Sequence, residues 1–324
     1  MHQLLERRAQ YDALATVEDL VRAIDAENCT PGWVPREKPL FWPRAHSCFV
    51  PAHWRYAQMR PALVAAGRLI ATHDAERRNF VLRNPVADND FATTRTLVGA
   101  YQSILPGEKA RTHRHSAHAL RIIIEARGSY SVVNGEKTPM ESGDIVLTPG
   151  GHWHGHGHDG REQAFWFDCL DLPLVHLLEP MTFEEHPDQW GEGRVREAER
   201  SPLRLPWERT LALLERSGVD PHSGRTVDLS SDLMPTITIK AHSWPAGWTN
   251  APCRQNANQI FVVLRGAGTS DIAQSRFEWA FGDVFVAPLG TRVALTVSAD
   301  AVVVALSDEG LMKHCGYHEV EACG

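Results

Sequence analysis

The chain has no uninterrupted apolar run of the roughly 20 residues that a membrane-crossing helix needs. Its opening, MHQLLERRAQYDAL, puts charges where a secretory leader carries an apolar core. Neither membrane insertion nor secretion is expected, and a cytoplasmic location is. A surplus of positive charge is also missing: 33 Lys and Arg stand against 40 Asp and Glu, a net −7. Nucleic-acid binders neutralise phosphates with clustered cations, so nucleic acid is not an expected partner and small molecules are. The six cysteines, at 29, 48, 169, 253, 315 and 323, show no CxxC or CxxH spacing. That removes a disulfide framework or zinc ribbon from consideration and leaves reduced thiols.

What the 324 residues do contain is enough chain for two ordinary domains. Residues 2–26 place apolar side chains at helical spacing, with Thr16 as a cap before VEDLVRAI. Pro31 to Pro51 is rich in Pro and Trp and reads as an extended arm. Residues 55–70 read as helix again. Beyond Arg77 come short apolar runs divided by Gly, Pro and Asn, the signature of an all-β sandwich or barrel. Charged residues dominate 180–230, with one helical stretch near PWERTLALLERSG, and strands resume at TITIKAHSW. The expected division is 1–95 for N-terminal helices and an arm leading into the first barrel, 96–179 for that barrel, 180–230 for a connection with a helix, and 231–324 for a second barrel.

An internal repeat organises the β-rich part. Gly107 is followed after five residues by His113-Arg-His115, and Gly143 after five by Pro149-x-Gly151-x2-His154. About 140 residues later the order recurs as Gly247 with Cys253-Arg-Gln255, then Gly282 with Pro288-x-Gly290-x2-Val293. The second copy keeps its glycines and loses its histidines.

These two spacings resemble the paired motifs of the cupin superfamily, complete over 107–154 and degenerate over 247–293. The resemblance implies two small antiparallel double-stranded β-helix (jelly-roll) barrels, the first with a metal and the second structural. The Glu usual shortly after HxH is absent, since His118, Ala119 and Leu120 fill that stretch, so a three-histidine site is expected. Strand geometry agrees independently: residues i and i+2 project to one side about 6.6 Å apart, so His113 and His115 can meet one ion, and His154 closes the triad. Imidazole donors suit Fe, Zn, Ni or Cu and disfavour Mg or Ca. Histidines 152, 154, 156 and 158 alternate, and their rise along a strand forbids all four from sharing one ion. His156 is expected beside the ligands as a hydrogen-bond partner or proton carrier, and His152 and His158 at solvent or in a turn.

Longer stretches, among them ERRNFVLRNP, QSILPGEKARTHRHSAHALRIIIEARG, VNGEKTPMESGDIVLTPGGHWHGHG and FWFDCLDLPL, resemble the gentisate and salicylate 1,2-dioxygenases, which are bicupins. That resemblance implies Fe(II) at His113, His115 and His154, and Arg77, Gln102, Arg121, His156 and Asp168 around the substrate. It further implies an extradiol-type enzyme (class EC 1.13.11) of aromatic catabolism that takes a small aromatic acid and O2, and a homo-oligomer, specifically a tetramer. Arg121 lies six positions after His115 on the apolar strand ALRIII, where a cation is costly without a partner. A substrate carboxylate is one such partner, and a protein carboxylate such as Asp168 is the other. Three positions depart from the family: Val98 where a large aromatic is usual, polar Asn79 two residues after Arg77, and Ala117 in place of Gln. They would enlarge or repolarise the pocket and point to a 5-substituted salicylate other than gentisate, for example one bearing a nitro group that Asn79 contacts, while the resemblance keeps gentisate itself as an expected substrate. A 1-hydroxy-2-naphthoate-type dioxygenase, a metal isomerase and a non-enzymatic ligand-binding cupin are the competing expectations.

Overall fold

The computed structural model describes residues 2–33, 40–75, 77–188, 196–197 and 201–323. They belong to two compact units, Met1–Ala45 and His46–Gly324. In the first unit residues 2–26 hold two helices, His2–Asp12 and Val17–Asp25. Thr16 separates them, its Oγ1 accepting the Asp19 N–H at 3.1 Å, and Glu18 and Asp19 complement the positive end of the second helix. Residues 34–39 of the Pro- and Trp-rich arm lie outside the described residues, and 40–51 form neither helix nor strand. No helix among the described residues is long and apolar enough to cross a membrane.

The second unit is mostly β-structure in three sheets. One six-stranded sheet runs Arg204–Leu205, Ile145–Thr148, Ala119–Glu125, Ala164–Leu170, Val98–Ile104, Arg78–Val81. A second runs Phe183–Glu185, Lys109–His115, His154–His158, Ser129–Val133, Glu136–Met140, Arg196–Glu197. The third has ten strands, built mainly by residues 219–322 but including Ala52–Trp54, which pairs with Val284–Ala287. The motif copies thus occupy separate sheets, and each set of sheets borrows a strand from a segment remote in sequence.

Ala119–Glu125 shows how sequence alternation divides the faces. Leu120, Ile122 and Ile124 join a core that also holds Ile260, Val262 and Leu264 of the second copy. Ala119 and Arg121 therefore turn the other way, into a cavity between the two six-stranded sheets. A strand packed on both faces reads as a continuous apolar run, which is why ALRIII carries no polar alternation apart from its arginine.

Candidate metal centre and substrate cavity

His113 lies on the strand Lys109–His115 directly opposite His154 on His154–His158, next to a register shift between Ala110 and His113. His115 ends the first strand. Ring centres are 5.4 Å apart for His113 and His115, 4.4 Å for His113 and His154, and 4.9 Å for His115 and His154. One nitrogen of each lies within 4.8 Å of the others. Three imidazole nitrogens gathered this closely can converge on a shared ion, whose bonds of about 2.1 Å would draw them closer together. Second contacts orient the rings: His115 Nδ1 donates to the Ala117 carbonyl at 2.8 Å and His154 Nδ1 to the His152 carbonyl at 3.0 Å. With Nδ1 protonated, Nε2 of each ring keeps its lone pair for a metal. Burial, reinforced by the neighbouring His113, pulls His115 down to about 4. Burial and the Arg121 charge hold His154 well below the ordinary histidine value. Both rings are neutral near pH 7, the protonation state that ligation requires.

The glycines of HGHGH have a steric cause. A Cβ at Gly155 would press on Thr112, and one at Gly157 would collide with the Tyr130 ring, so only alternate positions carry side chains. Of these, His158 corrects the sequence reading. It is buried, not solvent-facing, with Nδ1 2.8 Å from Ser129 Oγ and its other ring nitrogen against the Glu162 carbonyl. His152 is half-buried.

The triad opens on a cavity of about 470 Å³. Eight of the nine residues expected at the site line it: His113, His115, His154, Arg77, Asn79, Gln102, Arg121 and Asp168. His156 stands behind the wall. It is fully buried, its ring centre 6.1 Å from that of His154 and 5.9 Å from that of Trp166, and neither ring nitrogen has a hydrogen-bond partner. Arg77 Nη2 lies 2.8 Å from His113 Nδ1. Strand register brings Arg121 opposite Asp168, with Nε 3.3 Å from Oδ1. The alignment is too poor for a hydrogen bond, and both atoms remain unsatisfied. Arg121 Nη1 donates to Thr148 Oγ1 at 2.7 Å, and Trp166 Nε1 donates to Asp168 Oδ2 at 3.1 Å. Burial lowers the arginine and raises the aspartate, each partly offset by the other's charge. The guanidinium keeps donors for an incoming acid, so the two partners weighed for Arg121, a protein carboxylate and a ligand, meet at one place.

The cupin domain family matches residues 100–170, the segment that contains the triad and both flanking strands. The gentisate 1,2-dioxygenase of a Ralstonia species is 35% identical over 278 residues, covering 77% of this chain and 78% of that protein. The chain belongs to the gentisate 1,2-dioxygenase family. A 5-aminosalicylate 1,2-dioxygenase of a Comamonas species is 29% identical, covering 97% of this chain and 91% of that protein. The salicylate 1,2-dioxygenase of Pseudoaminobacter salicylatoxidans, solved as adducts with gentisate, superposes with a TM-score of 0.87 at 23% identity, covering 96% of this chain and 95% of that one. That likeness establishes a shared fold.

For this member of the gentisate dioxygenase family, the sequence reading missed part of the cavity wall. Asp90, Phe91, Leu170, Leu172, His176 and Phe183 also line it. Phe183 packs on His113 at 5.1 Å between ring centres, brought there by the pairing of Phe183–Glu185 with Lys109–His115. A loop delivers Asp90 and Phe91, the helix after Leu170 delivers Leu172 and His176, and an added strand delivers Phe183, so their meeting at the cavity is not written in one local motif.

Proposed function

We propose that the protein is an Fe(II)-dependent ring-cleaving 1,2-dioxygenase acting on a salicylate-type acid, either gentisate or another 5-substituted salicylate. It opens the ring between the carboxyl-bearing and hydroxyl-bearing carbons, extradiol-type in the sense that the broken bond is not the one between two oxygen-bearing carbons. Both atoms of O2 enter the product, an unsaturated oxo-diacid. The observation that carries this reading is the meeting of three clustered imidazoles and an incompletely paired, buried arginine in one cavity. Bound to His113, His115 and His154, iron supplies open coordination positions and redox chemistry toward O2. Arg121, with Arg77 and Gln102, binds the carboxylate and fixes the ring's orientation. Asp168 and His156 hold or move the phenolic proton, Asp168 from the cavity wall and His156 from behind it.

The same reading extends to the whole chain. Residues 96–179 and 231–324 each close as a cupin barrel, 1–95 leads into the first, and 180–230 connects the two. Cys253, Gln255 and Val293 leave the second without ligands, so it serves structure. A homotetramer in the cytoplasm completes the proposal, and free cysteines throughout the described residues fit a reducing compartment.

The test is anaerobic loading with Fe(II), then oxygen uptake and ultraviolet product spectra with salicylate, gentisate, 5-aminosalicylate, 5-nitrosalicylate and 1-hydroxy-2-naphthoate. Consumption of one O2 per acid with a new absorbing product is expected, and His115→Ala should abolish both iron retention and turnover. Absence of oxygen uptake with every acid, or full activity in His115→Ala, rejects the proposal.

A further inference from the structure

Strand register orders the cavity wall by depth. Asp168 stands opposite Ala100 and Arg121, and two residues farther along the same strand Leu170 stands opposite Val98 and Ala119. From Leu170 the chain turns directly into the helix Leu172–Leu178, whose His176 packs on Phe91 at 5.4 Å between ring centres. The Leu170 end of the cavity is therefore where Asp90, Phe91 and His176 gather, while Gln102, opposite Trp166, lies toward the other end. An acid held by Arg121 and Gln102 directs the far edge of its ring to this end. Asn79 does not stand there: it pairs in register with Gln102, at the level of the carboxylate grip.

The wall at the far end is apolar at Val98, Phe91 and Leu170, with Asp90 as its carboxylate. Asp90 is exposed and has no hydrogen-bond or ion-pair partner among the described residues. Asp168, the other carboxylate on the wall, stands at the level of the carboxylate grip, opposite Arg121, with Oδ2 accepting from Trp166 Nε1. A carboxylate only accepts hydrogen bonds. Beside a ring edge it favours an N–H or O–H donor and repels nitro oxygens, and a fused hydrocarbon ring strips its water without replacement.

We infer that Asp90 is a specificity-determining residue. It selects acids bearing a hydroxyl or amino group on the ring edge remote from the carboxylate over those bearing a nitro group or a second ring. The inference rests on the ring-cleavage reading and assigns which members of its substrate class the site takes. Removing the carboxylate weakens the repulsion of every anion alike, so the discriminating quantity is a ratio between acids of the same charge.

The test is anaerobic equilibrium binding to the Fe(II)-loaded protein of 5-aminosalicylate, gentisate and 5-nitrosalicylate, in wild type, Asp90→Asn and Asp90→Ala. Asp90 makes no hydrogen bond among the described residues, so both variants should keep the wild-type melting temperature, checked by circular dichroism. In wild type the nitro acid should bind roughly tenfold more weakly than the amino or hydroxy acid, the order expected for a solvent-reachable charged hydrogen bond. In both variants that ratio should fall close to one. A ratio unchanged by either substitution, or a wild type that prefers the nitro acid, overturns the inference while the ring-cleavage reading stands. Binding of none of the acids overturns both.

Discussion

Arg121 and Asp168 face each other across adjacent strands with almost no solvent contact, at 5% and 9% side-chain exposure. Taking two charges out of water costs several kcal/mol per ion, offset here by a misaligned contact at 3.3 Å between them and by one hydrogen bond each, to Thr148 and from Trp166. Arg121→Met therefore strands an unpaired carboxylate, and a loss of about 3 kcal/mol in urea unfolding is expected, with kcat/KM down at least roughly 100-fold. Adding Asp168→Leu removes the stranded charge, so the double variant should recover most of the stability and none of the activity. Recovery of turnover in the double variant would assign the pair to packing alone. At this scale the sequence was legible where chemistry is encoded in spacing. His113 and His115 two apart on a strand, and His154 at a fixed distance past Gly143, announce a shared ion before any coordinates. Asp90 and His176 could not be found that way, since their meeting at one end of the cavity depends on a loop and a helix whose placement no short motif records. His158 was misjudged for a related reason: alternation predicts which side a residue faces, whereas its burial comes from Ser129 and Glu162 on neighbouring segments.

At the scale of elements the repeat carries more than its glycines. In the first copy Asp144 accepts from the Trp207 N–H at 2.9 Å and from Arg204 at 2.7 Å. In the second, Asp283 accepts from the Tyr56 N–H at 2.8 Å and contacts His53 at 3.0 Å. Gly143 and Gly282, both at positive φ, sit under the Trp207 and Tyr56 rings with no space for a Cβ. Each aspartate thus anchors the start of a helix, Trp207–Arg216 or Tyr56–Leu69. The helix that precedes the first copy is held by the second, and the one that precedes the second is held by the first. A further pair repeats the exchange: Asp171 takes the His118 N–H and the Thr236 hydroxyl, and Asp308 takes the Asn258 N–H and the Thr96 hydroxyl. Asp144→Ala and Asp283→Ala should each cost about 2 to 4 kcal/mol, because each leaves buried backbone and side-chain donors unmatched. Equal losses in denaturant midpoints would show the two turns to be equivalent, and a negligible effect at either would break the symmetry argued here. The strands and most helices were readable from periodicity and turn residues. This crossed arrangement was not, since nothing local distinguishes a helix docked on its own copy from one docked on the other.

For the whole molecule these exchanges decide how it comes apart. Residues His46–Gly324 form one compact unit, and its largest apolar core draws Leu120, Ile122 and Ile124 together with Ile260, Val262 and Leu264. Separating the copies would expose that shared core and break all four aspartate anchors at once, so neither copy has an independent way to unfold. A metal bound to the first copy alone then stabilises the entire unit. Its effect on folding is RT ln(1 + [M]/Kd), about 4 kcal/mol at a thousandfold excess over Kd, which for a chain of this size shifts the melting temperature by roughly 5 °C or more. Scanning calorimetry of the iron-loaded protein should show one principal transition, and chelation should move that whole transition downward. Two resolved peaks, of which only one responds to chelator, would mean that the triad stabilises its own copy and that the crossed anchors do not couple the halves.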